Sequence, residues 1–398
     1  MATQVYGNGV NSSQGANTIV HFYDRAGIKA ANRVNVYGQW ASRKDMPKNM
    51  GKTFKISKFL HMYDRAQSDV NFATKGYLTG RDLTDLNTLL HATDGSGAGL
   101  TEGAGATNER TLQKVTVEAT LNRFGEMITY TDEVDLFSED MMQVRYREEL
   151  GELAGSRYED LLQLDLLATP TKMYSGVATS MATLGNGIAA DGSEDADWTV
   201  SYDLIRQAVR KLVRNRAKKN TQVVTGSNKI DTVTVAPAYY AIIGADVKAD
   251  LEGLTRGTGA EAEFVYTPFH KYASAATLAE GEVGRMHEVR FIESEAAVVE
   301  YKKGATVPNG YVGDLAYTGT IGSGAKFDVH PILFPTEGSF ATVGLKGMGK
   351  IKFNSAAPAD VSLINPYGTK GFFSYNFFYA TVILEPEKLL RLDVLVRR

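Results

Sequence analysis

The nearest approach to a reactive motif is Gly51-Lys52-Thr53, which matches the end of a phosphate-binding loop. Such a loop needs a glycine five positions before Gly51, so that bare N–H groups can cradle a phosphate, and a helix after the threonine. Met46 holds the first position, and Phe54-Lys55-Ile56-Ser57 alternates like a half-buried strand. Gly95, Gly97 and Gly99 fail as a dinucleotide fingerprint because Leu100 stands where the third glycine belongs. His21, His61, His91, His270, His287 and His330 never fall three or four residues apart, so no helix face offers a zinc pair. Cysteine is absent, which removes disulfides, thiolate ligands and thiol nucleophiles together. No Gly-x-Ser-x-Gly elbow occurs. Glu148, Glu149 and Glu152 read as a solvated helix face. No catalytic, cofactor-binding or metal-binding residue is assigned, no cofactor is expected, and the chain is read as a non-enzyme.

One charged constellation remains. From Tyr202 to Lys219 the spacing predicts a helix with an apolar stripe of Leu204, Ile205, Ala208, Val209, Leu212 and Val213. Its other face carries Arg206, Arg210, Lys211, Arg214, Lys218 and Lys219. Such a face can meet DNA phosphates without reading base sequence. A solvated surface, or ion pairs to a neighbouring subunit, are the alternatives. The whole chain has 43 basic and 46 acidic residues and a net charge of -3, so its surface as a whole is not a nucleic-acid grip.

The elements that would position these residues fill 398 positions, 43% hydrophobic and 22% charged. These are globular values, and the length implies two or three sub-domains. Met1 to Val20 is polar and unlike a secretory signal, and no run approaches the roughly 18 apolar residues of a membrane span. The chain is expected to stay in the cytoplasm and off membranes. Residues 1–46 look like an arm whose aromatics, Phe22, Tyr23, Tyr37 and Trp40, either pack on their own core or dock on a neighbour. Two strand-like runs flank the Gly-rich tip at 94–99. If Thr111 to Tyr130 is one strand it spans roughly 60 Å, with a bulge or bend at Gly125. A two-stranded ribbon that long is marginal alone and implies a partner surface.

Ser138 to Ala168 reads as a long helix, capped by Ser138 and ended by Thr169-Pro170, with Leu150, Leu153, Ala154, Tyr158, Leu161 and Leu162 on one stripe. Thr171 to Asp197 reads as a loop. Thr232–Val235, Arg290–Ile292 and Val298–Tyr301 read as strands and Pro237 to Leu251 as a helix. The last third is strand-rich, with Leu390, Leu392, Val394 and Val396 alternating near its end.

Five motifs in order resemble a known family. They are Met46-Pro47-Lys48-Asn49-Met50-Gly51-Lys52-Thr53, Leu100-Thr101-Glu102-Gly103, Ile128-Thr129-Tyr130-Thr131-Asp132, Gly281-Glu282-Val283-Gly284-Arg285 with Val289-Arg290-Phe291-Ile292-Glu293, and Pro366-Tyr367-Gly368-Thr369-Lys370-Gly371. Together they resemble the major capsid proteins of large podoviruses related to coliphage N-four, tailed bacteriophages with the Hong Kong 97 (HK97) type of fold. The resemblance implies an α+β fold: an N-terminal arm (1–46), an extended loop and its base (47–131), a peripheral domain (132–200) with spine helix 138–168, an axial domain (201–349), and return strands to the peripheral domain (350–398). The extended loop would lie over the adjacent subunit, with Phe54, Ile56, Phe59, Val115, Val117 and Leu121 as expected contacts. Arg206, Arg210, Lys211, Arg214 and Lys218 would form the DNA-proximal face.

The function so implied is self-assembly, as hexamers and pentamers, into the icosahedral head that encloses double-stranded DNA. The implied partners are other copies of the chain, a separate scaffolding protein, a portal and, as an option, decoration proteins. The location would be the virion capsid, assembled in the host cytoplasm. A bacterial compartment shell of the encapsulin kind, with the same fold but enclosing enzymes, is the main alternative. An enzyme with an unfamiliar site and a secreted β-rich adhesin are more distant ones.

Overall fold

The computed structural model describes residues 36–47, 49, 51–59, 100, 102–103, 114–137, 142–220, 237–256, 263–264, 266–271, 279, 281–346, 351–358 and 365–398. Most of the expected arm, the ribbon tip and the strand expected at Thr232–Val235 lie outside the described residues. In chain order a 3-10 turn, Tyr37–Trp40, leads to β1 (Ser42–Met46), β2 (Thr53–Phe59), β3 (Lys114–Thr120), β4 (Asn122–Thr131), α1 (Asp132–Phe137) and α2 (Met142–Leu167). Then come β5 (Lys172–Tyr174), α3 (Asp195–Trp198), α4 (Tyr202–Arg214), β6 (Tyr239–Ile243), α5 (Ala245–Glu252) and the short strands β7 (Thr255–Arg256), β8 (Glu263–Phe264) and β9 (Thr267–Pro268). The remainder is nearly all strand: β10 (Glu282–Met286), β11 (Val289–Glu293), β12 (Tyr317–Thr318), β13 (Lys326–Phe327), β14 (His330–Phe334), β15 (Phe340–Leu345), β16 (Lys352–Ala356), β17 (Lys370–Ile383) and β18 (Leu390–Val394).

Two sheets organise the chain. The larger runs β5-β18-β14-β6-β11-β10-β9. Its central strands β18, β14 and β6 are buried at every position, the burial of a sheet covered on both faces. On one face Leu204, Ile205, Ala208, Val209 and Leu212 of α4 and Val247 and Leu251 of α5 pack with Ala241, Phe291, Ile332 and Leu392. The other face contributes Tyr240, Ile242, Ile292 and Leu333 to a second core shared with α2 and the smaller sheet.

The smaller sheet runs β1-β15-β17-β16, with β4 also on β17. Its axis is the 14-residue strand β17. Alternation puts Phe373, Tyr375, Phe377 and Tyr379 on one face, where they meet the 26-residue helix α2, about 39 Å long. Tyr158 sets its ring edge-on to Phe377 and Tyr379, at 5.8 and 5.5 Å between centroids. The expectation of a long helix on a sheet holds, as does its apolar stripe. The helix start at Ser138 lies outside the described residues.

Several expectations need correcting. The single strand from Thr111 breaks at Leu121, whose N–H bonds Lys52 O at 2.9 Å. The part before it, β3, pairs with β2, and the part after, β4, joins β17. Gly125 makes no bulge, since register runs unbroken from Asn122↔Tyr379 to Thr131↔Lys370. A Cβ there would lie 2.4 Å from Tyr375 O, so close backbone approach explains the glycine. The helix expected from Pro237 is instead strand β6 followed by α5, because Tyr-Tyr-Ala-Ile-Ile suits a strand buried on both faces better than an amphipathic helix. Helix α4 stops at Arg214, not Lys219. Arg216 turns left-handed (φ 55) and Ala217 N bonds back to Leu212 O at 3.0 Å, which closes the helix end. Val213 leaves the apolar stripe and is exposed. Val298–Tyr301 supplies one isolated bridge, Glu300↔Val329, rather than a strand.

Sheet membership also crosses the expected domain limits. β1, expected in the arm, pairs in parallel with β15, and β15 itself lies in the smaller sheet. β18, expected to return with β16 and β17, joins the larger sheet beside β5. The expected loop at 171–197 wraps a core of its own, in which Leu184, Ile188 and Trp198 meet Val307, Tyr311, Phe327 and Leu395.

The Gly125 contact yields a direct test of this topology. Gly125→Ala should destabilise the chain by about 1–3 kcal/mol through overpacking against Tyr375 O, read as a lowered urea midpoint. An unchanged midpoint would contradict the β4–β17 register.

Candidate assembly surfaces

The ribbon root is the first expected contact surface. β2 and β3 pair over seven residues, Thr53↔Thr120 to Phe59↔Lys114. Phe54, Ile56 and Val117 turn inward and pack with Ala119, Leu121, Met46, Val343 and Val382 of their own chain. Leu121 is buried and Val115 half-buried. On the outward face Lys55 pairs with Glu118 and the Ser57 and Thr116 hydroxyls lie 3.4 Å apart. Lys58 Nζ donates to Leu384 O at 2.9 Å, which pins the ribbon to the body. Of the six expected contacts, Leu121 is buried in the chain's own core, and Phe54, Ile56 and Val117 are half-buried against it. Phe59, 60% exposed, is the one large apolar side chain of the six presented outward.

That packing covers only part of the smaller sheet. The face turned away from α2 carries Phe378, Ala380 and Val382 under the ribbon, then Met127 and Phe372, both exposed, toward the other end. At that end Asp132 N donates to Thr369 O at 3.0 Å, tying the start of α1 to the turn before β17. The turn is held by Asn365, which accepts from Thr369 N at 3.0 Å and donates to Lys370 O at 2.8 Å. Around this junction Leu136 (74%), Phe137 (85%) and Tyr367 (88%) are exposed to solvent. Exposed apolar groups gathered in this way mark an interaction surface. Sequence reading missed it, although Leu136-Phe137 just before the long helix, with no apolar partner three or four residues earlier except Val134 and Asp132-Glu133 around it, was its signal.

A buried polar seam joins α2 to the larger sheet. Glu159 accepts from Tyr37 N at 3.0 Å and Gly38 N at 3.3 Å, capping the 3-10 turn. The Gln163 amide accepts from the Tyr37 hydroxyl and Val298 N, each at 2.7 Å, and donates to Ala296 O at 2.8 Å. At the helix end Arg391 Nη1 donates to Leu167 O at 3.0 Å, while its Nε bonds Asp393 Oδ1 at 2.6 Å and its Nη2 pairs with Glu300. Tyr37 and Trp40 are thus docked on their own chain, Trp40 stacking on Tyr240 at 4.0 Å. Burial pushes Asp393 up to about 6, although Arg391 beside it pulls the other way. Burial likewise raises the Tyr37 and Tyr379 hydroxyls, and Tyr379 donates to Asp165 at 2.6 Å.

The basic face of α4 forms largely as expected. Ser201 Oγ caps the helix through Leu204 N at 3.2 Å, and Arg206, Arg210, Arg214 and Lys218 are exposed. Lys211 departs from the face. It turns to donate to Lys172 O at 3.1 Å, and burial lowers its pKa. Among the described residues no group of three or more His, Asp or Glu could hold a metal ion, and no helix is long and apolar enough to cross a membrane.

Comparison with known proteins identifies the family to which these surfaces belong. The family model described as phage capsid protein matches residues 114–331, more than half of the sequence. The chain belongs to the phage capsid protein family. It is similar over nearly its whole length to the major capsid protein of Pseudomonas phage KPP21, at 28% identity over 403 residues, covering 98% of this chain and 96% of that one. Its fold is similar to the capsid of Ralstonia phage GP4, with a TM-score of 0.52, 12% identity and coverage of 98% and 99%. It is also similar to the capsid of cyanophage P-SCSP1u, with a TM-score of 0.50, 10% identity and coverage of 96% and 95%. This phage capsid protein has the α+β, HK97-type fold that the five motifs implied. The enzyme-compartment alternative is not favoured.

Two outcomes follow for the capsid protein. Leu136→Lys with Phe137→Lys should leave the unfolding midpoint of the unassembled subunit within about 0.5 kcal/mol of wild type, as for exposed sites, while sharply reducing particle yield. Unchanged yield would remove this surface from assembly. Asp393 holds its proton more tightly folded (about 6) than unfolded (3.8), so its ionised form costs stability above pH 6, and that cost fades as pH falls toward 4. Wild type should therefore gain on Asp393→Asn by on the order of 2–3 kcal/mol between pH 7 and pH 4, measured by urea unfolding at each pH. Parallel pH profiles would contradict the shift.

Proposed function

We propose that this chain is the major capsid protein of a tailed bacteriophage, building the icosahedral head around double-stranded DNA. The observation that carries the reading is end-to-end similarity to a major capsid protein, 98% of this chain against 96% of the relative. The fold supplies the physical reason. Phe59 at the end of β2, the half-covered smaller sheet and the Leu136–Phe137–Tyr367 end leave apolar surface that one subunit does not bury, and such surface is stabilised by copies of the same chain.

In this reading the smaller sheet with α2 is the peripheral domain and the larger sheet with α4 and α5 is the axial domain. The extended loop (47–131) lies over the adjacent subunit, and Phe59 opens that contact. Subunits group as hexamers and pentamers in the host cytoplasm, with a separate scaffolding protein and a portal, and with decoration proteins as an optional addition. The protein acts by repeated contact and has no catalytic role. The packaged DNA is met non-specifically.

Expression with sedimentation and electron microscopy tests this. Wild-type protein should give closed shells. Replacing residues 60–113 by a short Asn-Gly turn should leave β2–β3 paired and the subunit soluble and folded, yet yield no stable shells. Normal shells from that variant, or a wild-type chain that stays monomeric under all conditions, would contradict the reading.

A further inference from the structure

Between Lys172 and Lys219 the charge is sorted along the chain into two blocks. Between Lys172 and Arg206 there is no basic residue, and five acids occur: Asp191, Glu194, Asp195, Asp197 and Asp203. From Asp203 to Lys219 there are seven basic residues and one acid. The structure gives each block a defined shape. Arg206, Arg210 and Arg214 recur every fourth residue of α4, about 6 Å apart along its axis, and all three are exposed, as is Lys218 beyond the helix end.

The acidic block is held by its one buried member. Asp195 Oδ2 accepts from the Tyr311 hydroxyl and from Asp314 N, each at 2.8 Å, and Gly192 and Gly313 approach so closely that a Cβ on Gly192 would lie 2.6 Å from Gly313 Cα. With Asp195 tied inward, Asp191, Glu194 and Asp197 are left exposed on the same short turn and helix. Two described ion pairs of the basic block run to acids outside the 191–197 turn, Arg206 to Asp203 at 3.5 Å and Lys219 to Glu288 at 3.0 Å.

A stripe of one sign cannot meet itself across a two-fold axis without placing like charges face to face, which costs several kcal/mol where they are brought close. Two different patches of opposite sign on one chain suit contact with a second copy, and in a shell built of rings such a contact runs head-to-tail and closes. We infer that the arginine stripe of α4 docks on the acidic 191–197 turn of a second copy of this chain, so that this pair of patches sets the direction of subunit association around a ring. The inference rests on the shell-forming reading and names one of its contacts. It takes the basic face away from DNA and gives it to a neighbouring subunit.

A charge-swap experiment on the full chain tests it. Arg210→Glu with Lys218→Glu should cut the yield of shells by at least about tenfold, as should Glu194→Lys with Asp197→Lys, because each sets like charges against each other. Combining all four substitutions should restore most of the yield. Circular dichroism and the unfolding midpoint of each unassembled variant identify any that fail to fold. For that case, charge-neutral Arg210→Gln with Lys218→Gln provides a milder variant, expected to lower yield and to make assembly less sensitive to salt. Folded variants that assemble like wild type would overturn the inference while leaving the shell reading intact. So would a four-fold variant no better than its parents. Normal shells from the first pair that fail only to retain DNA would return the stripe to DNA binding. A wild-type chain that forms no shells would instead defeat the broader reading.

Discussion

Helix α2 is the constraint on which the two sheets depend. Its apolar side, from Leu150 to Leu166, is covered by the ring-bearing face of β17. Its polar side carries Glu159 and Gln163, which satisfy the backbone of the Tyr37 turn and of the 296–298 segment. Its last carbonyls would be orphaned inside the molecule, and Arg391 from the larger sheet donates to Leu167 O. One helix thus ends on a charge supplied by the other layer. Removing Arg391 would leave a buried helix end and two carboxylates, Asp393 and Glu300, without their cation, which is far costlier than losing an exposed ion pair.

This joint leaves the outer face of the smaller sheet to be covered by other means. The ribbon root covers one end, and the pinning bond from Lys58 to Leu384 O fixes where that cover begins. Beyond it, Met127 and Phe372 remain exposed, and the junction of α1 with the turn at Asn365 adds Leu136, Phe137 and Tyr367. A lone domain gains little from a junction that displays apolar groups. A subunit that repeats many times in a closed shell gains an apolar contact from it.

Much of this was legible in the sequence. The stripe of α2 and the inward face of α4 follow from spacing alone, because both helices meet flat apolar surfaces. The motif order identified the family where composition could not. What failed did so for physical reasons. Tyr239 to Ile243 is uniformly apolar, so a strand buried on both faces carries no period to read. By contrast, Leu390 to Val394 alternates apolar with charged and forms strand β18 as expected, with Arg391 and Asp393 buried in the seam. Alternation in the ribbon reports which face is covered and not by whom, and within the chain Phe54, Ile56 and Val117 are half covered while Leu121 is buried. Gly125 looked like a bend because a glycine in a strand signals either bending or close approach, and only the partner strand decides between them.

The central claim is that the surface left open on the single chain is closed by copies of itself. An electron cryomicroscopy reconstruction of the assembled particle measures this most directly. The account predicts a closed shell in which Phe59 and the Leu136–Phe137–Tyr367 end are buried against neighbouring subunits, with the two sheets and α2 arranged as in the isolated chain. A particle in which those residues stay solvent-exposed, with subunits joined elsewhere, would contradict it.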